Sequence, residues 1–279
     1  MLKFNEYYNL NEKLITFGKT AYPKFGHVVI LAGGAGSGKG FIKERLLGLE
    51  GFSMDVDDLK KLASRAPRIN HKVKTELGID LTKLGADLRN PDSVSKIHDI
   101  VGTYLELDSK KLNAIYKSIL TAHKDRKPNI IFDVTLKSLS KLEKLTKQVK
   151  SLGYDNDKVH IVWVVNDIEV AKTQNSKRDR VVPGEILVNT HRGASQTMAD
   201  ILNMGKALSK YMDGMIVLAF NKVGVDSSLL KSGKGGSFIK DANYFIAKVS
   251  GKPPVKISSL ERSVRQKIHD YVPKTVDWI

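Results

Sequence analysis

One stretch decides what this chain can fold into: Gly33-Gly34-Ala35-Gly36-Ser37-Gly38-Lys39-Gly40, set between the apolar run His27–Ala32 and the amphipathic stretch Phe41–Leu47. The apolar run reads as a buried strand and the stretch after it as a helix, so the glycines form a strand-to-helix turn. Glycines at such a turn let successive backbone N–H groups face inward around an anion, with no side chain in the way. The helix start adds unpaired N–H groups and the positive end of its dipole. Gly33, Gly38 and Lys39 fill the first three fixed positions of G-x-x-x-x-G-K-[ST], the phosphate-loop template, and Lys39 is expected to reach the β- and γ-phosphates of a nucleotide. The donor-nucleotide site is therefore expected over Gly33, Gly34, Ala35, Gly36, Ser37, Gly38, Lys39, Gly40 and Phe41. The fourth template position departs. Gly40 stands where Ser or Thr places a hydroxyl on Mg²⁺, and Phe41 supplies none. Any Mg²⁺ is then expected to be held through water and by carboxylates elsewhere.

The carboxylates come next along the chain. Phe52–Val56 reads as a second strand with Asp55, Asp57 and Asp58 at its carboxyl end, the end at which open α/β sheets place their chemistry. Carboxylates this close are costly to hold together unless a cation or a basic group sits among them; a helix cap at Asp57 or Asp58 is the alternative reading. Pro128–Thr135 is a further apolar strand and contains Asp133, a position suited to holding Mg²⁺ or orienting an acceptor. Lys141–Leu152 reads as a crossover helix, His160–Val165 and Gly214–Phe220 as buried strands. Strands alternating with helices at this rhythm predict a parallel sheet covered on both faces.

The rest of the chain is arranged around this frame. Residues 1–26 are expected to contain a helix over Asn5–Phe17, with Tyr7 and Tyr8 either packing or forming a nucleobase platform. The long insertion 61–126 reads as helical, with breaks at Pro67, Gly78, Gly85 and Pro91 and an Asn90-Pro91 cap. It is expected to wall the acceptor site, with Lys60 and Arg65 among its basic residues. Asn175–Pro183 is a basic knot ahead of a new helix from Glu185, and is expected to be a lid over about 175–185 in which Arg178 and Arg180 neutralise charge as a phosphoryl group moves. His191 follows the lid and is a candidate for touching substrate. Residues 220–279 carry an excess of Lys and Arg and read as a basic C-terminal extension; Lys231–Ser237 looks like a second phosphate loop but lacks the glycine five residues before Gly233.

Composition limits the alternatives. The absence of cysteine excludes disulfides and cysteine metal sites, and the histidines show no metal spacing. No apolar run is long enough to span a membrane, and no secretory leader is legible, so a cytoplasmic location is expected. The net charge of +16 calls for a polyanionic partner, nucleic acid and DNA in particular.

Four marks together resemble a known group: Gly36-Ser37-Gly38-Lys39, Asp57-Asp58-Leu59-Lys60, Ile130-Ile131-Phe132-Asp133, and Asn175-Ser176-Lys177-Arg178 followed by Val182-Pro183. The chain resembles the 5′-kinase domain of phage-type polynucleotide kinase and, more broadly, the zeta-toxin-like P-loop kinases, over roughly residues 27–200. The resemblance implies a three-layer α/β P-loop kinase domain over 27–219 that uses ATP and Mg²⁺. It makes Asp57 (or Asp55) the base that accepts the acceptor hydroxyl proton and has Lys60 touch the acceptor phosphate. It also has Asp133 orient the acceptor and Arg178 bind the donor phosphates. Lys60 stands where that kinase family prefers arginine. Three functions stay open: an ATP-dependent kinase acting on a nucleic-acid hydroxyl (a 5′ end or a modified base), a zeta-toxin-like kinase acting on a sugar nucleotide, and a nucleotide-dependent binding module.

Overall fold

The computed structural model describes residues 14–18, 22–55, 63–107, 110, 119, 121–178, 181–231, 237–274 and 278. At its centre lies β1 (Val28–Ala32), buried along its whole length. β1 pairs in parallel with β3 (Ile130–Val134) on one side and β4 (Val159–Val165) on the other. β2 (Phe52–Asp55) extends the sheet beyond β3, and β5 (Ile216–Phe220) beyond β4, again in parallel. Strands buried on both faces are mostly apolar rather than alternating, which is why β1 and β5 read as unbroken apolar runs and β4 does so apart from His160. The remaining edge is antiparallel: β7 (Ser237–Lys248) pairs with β5, and β6 (Ser227–Lys231) with β7, giving the order β2-β3-β1-β4-β5-β7-β6.

Successive residues of β1 feed two cores. Val28 and Ile30 point into the larger one, under α5 (Leu139–Ser151) and α7 (Gly184–Asn203). Leu142, Leu145 and Val149 recur at helical spacing to line the α5 contact, and the Ser138 hydroxyl caps that helix by accepting from the Lys141 N–H at 3.3 Å. Val29 and Leu31 point to the opposite face, where Ile42 of α1 (Lys39–Arg45) packs with Leu46, Leu49, Ile15 and Phe17. The residues after β5 belong to the same body. α8 (Arg262–Tyr271) lies on the larger core, and the Trp278 ring stacks 5.5 Å from Trp163 and donates to Ser195 Oγ at 2.9 Å.

The insertion between β2 and β3 is helical, as its sequence predicts. It contains α2 (Pro67–Leu77), α3 (Leu81–Ala86) and α4 (Pro91–Asp99), which runs into a π-helical turn at Ile100–Tyr104. Gly78 ends α2 at φ 69, and Asn90 caps α4 by accepting from the Asp92 N–H at 3.0 Å. Val73, Leu81, Ile97 and Val101 form a small core of the insertion's own.

The expected helix over Asn5–Phe17 is corrected at its described end. Ile15 is bridged to Leu47, with its N–H on Leu46 O at 2.7 Å and its carbonyl accepting from Gly48 N–H at 2.9 Å. An extended chain sends residues two apart to one side, which seats both Ile15 and Phe17 in the core. Tyr7 and Tyr8 lie outside the described residues, as does most of the Lys231–Ser237 loop.

At the amino ends of β1 and β4, His27 and His160 stack with ring centroids 5.2 Å apart. His160 Nδ1 accepts from the Met215 N–H at 2.9 Å, so its Nε2 carries the proton and donates to His27 Nδ1 at 2.9 Å. Burial, with Lys158 nearby, lowers the His27 pKa from 6.5 to about 4; burial, His27 and two lysines lower that of His160 to about 3. Both rings are therefore neutral, as their shared hydrogen bond requires.

Candidate active site

The glycine loop leaves β1 at Ala32 and enters α1 at Lys39. Gly36 and Gly38 take φ of 74 and 89, values that side chains rarely tolerate. Lys39 folds back over the loop: Nζ donates to Gly33 O at 2.9 Å and to Gly34 O at 3.3 Å, and lies 3.7 Å from Asp133 Oδ1. The ammonium thus bridges the loop and the end of β3. Phe41, expected with the donor residues, packs its ring against the core on the α1 face, and nothing within 4 Å crowds the space above Gly40.

Two neighbours shape the loop. The Asn221 amide, just past the end of β5, donates to Ser37 O at 2.9 Å. A Cβ on Gly38 would come 1.9 Å from that nitrogen, so the contact requires glycine. From α7, Thr190 Oγ1 accepts from the Ala35 N–H at 3.1 Å and His191 Nε2 donates to Ala35 O at 2.8 Å. His191 is buried. Burial lowers its pKa from 6.5 to about 4, opposed by the bond to Ala35 and aided by Lys39. The expectation that His191 touches substrate is thereby corrected: its ring faces inward and holds the loop.

The carboxylates converge from two strands. Asp55 and Asp133 are register partners across β2 and β3. The partner of Asp133 on β1 is Leu31, whose side chain lies in the core on the α1 side. Paired residues of parallel neighbours share a face, so both carboxylates emerge on the α1 side at the carboxyl end of the sheet, where Lys39 also arrives. Asp57, Lys60 and Arg180 lie outside the described residues, and Arg65 is exposed on a helical turn at 63–65.

The segment expected as a lid joins the end of α6 (Ile168–Ser176) to the start of α7. Its base is tied by one side chain. Asn175 Nδ2 donates to Val182 O at 2.7 Å and Asn175 Oδ1 accepts from the Val182 N–H at 3.0 Å. Val181 N–H donates to Leu88 O at 3.1 Å, which joins the lid to the insertion. Arg178, between these ties, is exposed. The Asn175 and Val182 of the sequence mark are thus partners that close the lid at its base. Thr190, His191 and Asn221 were not legible as loop-shaping residues. The available signal was a polar residue directly after a buried strand, at Asn221.

Residues 90–213 match the family model described as Zeta toxin. The match runs from the start of α4 through Asp133 and past the end of α7, and leaves out the glycine loop. No curated protein sequence matches the chain. Among solved structures it is similar to a chain from the PezAT chromosomal toxin-antitoxin system of the human pathogen Streptococcus pneumoniae, at 17% identity over 77% of this chain and 74% of that one, with a TM-score of 0.39. It is also similar to a chain of AvrRxo1-ORF1:-ORF2 with ATP, at 12% identity over 91% of this chain and 66% of that one, with a TM-score of 0.43. The match covers less than half of the chain and gives it a region similar to the zeta-toxin kinases, which together with the phosphate loop reads as that of an ATP-dependent phosphotransferase.

Proposed function

We propose that this zeta-toxin-like kinase transfers the γ-phosphate of ATP to a hydroxyl of a sugar nucleotide or a comparable small phosphorylated acceptor. The observation that carries the reading is the meeting of Asp55, Asp133 and Lys39 at the carboxyl end of the sheet, together with the Zeta toxin match. The loop amides and Lys39 hold the donor phosphates, Arg178 and Arg180 neutralise the moving group, and Asp57 accepts the hydroxyl proton, since phosphoryl transfer needs positioning and charge balance above all. Lys60 and Arg65 are assigned to the acceptor side. Gly40 offers no hydroxyl to a cation, so the fitting donor set for Mg²⁺ is the Asp55 and Asp133 carboxylates acting through water. When bound, the metal supplies neutralisation at the β- and γ-phosphates.

A second reading, in which the hydroxyl belongs to DNA or RNA, is favoured by the net charge of +16. Labelled ATP offered with sugar nucleotides, 5′-hydroxyl DNA and RNA, and modified-base DNA separates the two. Transfer to a sugar nucleotide that is abolished in a folded Lys39→Ala protein is the expected result. Transfer to a polynucleotide instead, weakening steeply with salt, would establish the second reading. A Lys39→Ala protein as active as the parent would remove the donor site from either.

A further inference from the structure

The loop of a phosphate site is useful only in one shape, because its N–H groups must all face the same anion. Here a helix from the far side of the lid grips one residue of that loop by both of its backbone polar groups. The Thr190 hydroxyl sends its hydrogen to Leu187 O at 2.7 Å, leaving an oxygen lone pair for the Ala35 N–H at 3.1 Å. Ala35 O can only accept, so His191 Nε2 carries a proton and Nδ1 does not. The ring fits because residue 34 is glycine: a Cβ there would come 2.1 Å from His191 Cδ2. Two residues on, Gly193 lets the same helix approach Lys137, in the loop that follows Asp133. α7 therefore touches the donor loop and the loop beyond Asp133, and it begins where the lid ends, at Pro183 and Gly184.

We propose that Thr190 and His191 are positioning residues of the donor site, a two-point clasp through which the lid helix sets the two peptides flanking Ala35 and hence the direction of the loop N–H groups after them. The proposal rests on the donor-site reading above. It assigns a specific tautomer to His191 and makes ATP affinity depend on two side chains that touch no phosphate.

The test uses the whole chain. Thr190→Val keeps the shape and removes the hydroxyl; His191→Phe keeps a ring against Gly34 and removes the donor. Thr190→Ser and His191→Gln restore the lost group. In the ATP-free parent, NMR should show a slowly exchanging Ala35 amide and His191 protonated on Nε2, with no titration near pH 6.5. Thr190→Val and His191→Phe should each weaken ATP binding about tenfold, the loss expected for one partly buried hydrogen bond. KM for ATP should rise more than kcat falls, and the Ser and Gln variants should recover most of it. Parental ATP affinity in both Thr190→Val and His191→Phe would overturn the clasp, as would equal losses in Ser and Gln, which would mark a packing role. If a variant does not fold, an Ala35 amide in the parent that exchanges as fast as an open loop, or a His191 that titrates near 6.5, overturns it without any substitution. Failure of the parent to bind ATP would instead remove the donor-site reading, and the exchange of Ala35 would still report on the clasp.

Discussion

At the scale of single residues, the site depends on side chains that are missing as much as on those present. Gly38 combines a φ of 89 with a neighbour 1.9 Å from where its Cβ would stand. Gly38→Ala is expected to leave the sheet folded and to weaken ATP binding tenfold or more, read by titration with a fluorescent ATP analogue, because either the loop or Asn221 must move. The carboxylates divide by role. Removing a proton acceptor commonly costs on the order of 10²–10⁴ in rate, so Asp57→Asn should lose that much with no recovery on adding Mg²⁺. Asp55→Asn, proposed with Asp133 to serve the cation, should recover part of its loss as Mg²⁺ is raised. Steady-state rates across a Mg²⁺ titration separate the two, and parental rates in both variants would reduce the acidic cluster to a helix cap.

At the scale of elements, Asn175 ties the two ends of the segment between α6 and α7. Both polar ends of that buried amide are used on Val182. Asn175→Leu would leave the Val182 N–H and C=O without partners, at a cost of about 1–3 kcal/mol, and should lower the melting temperature while raising KM for ATP. The elements themselves were largely legible because their signals are local. Apolar runs gave the strands β1, β3, β4 and β5, Asn90-Pro91 gave the start of α4, and Gly78 gave the end of α2. Glycine spacing and the template gave the donor loop, and an aspartate near the end of an apolar run gave Asp133. What stayed hidden depends on partners remote in sequence. Ile15 and Phe17 look helical in isolation but find strand-like bonding at Leu46–Gly48. His191 reads as a candidate for touching substrate until the fold brings it to Ala35, a separation of 156 positions. No local pattern encodes such a meeting, and neither does the pairing of β7 with β5.

At the scale of the whole molecule, three buried neutral histidines set a limit on acid tolerance. His27 and His191 have pKa values lowered to about 4 and His160 to about 3, each by burial first. On acidification the unfolded chain takes up these protons first, near pH 6.5, while the folded chain resists. Stability is therefore full above about pH 6.5 and falls as the pH drops towards 4, by about 1.4 kcal/mol per pH unit for each proton. Urea midpoints measured from pH 7 to 4.5 should decline accordingly, and His160→Gln should flatten the slope. The larger core is closed by Trp278 stacked on Trp163. Trp278→Ala is expected to cost about 3–5 kcal/mol, measurable as a lowered midpoint of cooperative unfolding, which would show that the residues after β5 are structural members of the sheet's body.

The tether from Asn221 to Ser37 spans 184 positions, and this has a consequence for how the protein is made. A ribosome delivers the glycine loop early and its shaping residues late, Thr190 and His191 first and Asn221 after them. Until they arrive, the loop has Lys39 on Gly33 O and Gly34 O but lacks the side-chain bonds to the Ala35 N–H, Ala35 O and Ser37 O. A nascent chain halted before residue 190 should thus carry every residue of the phosphate motif and bind nucleotide more weakly than the whole chain.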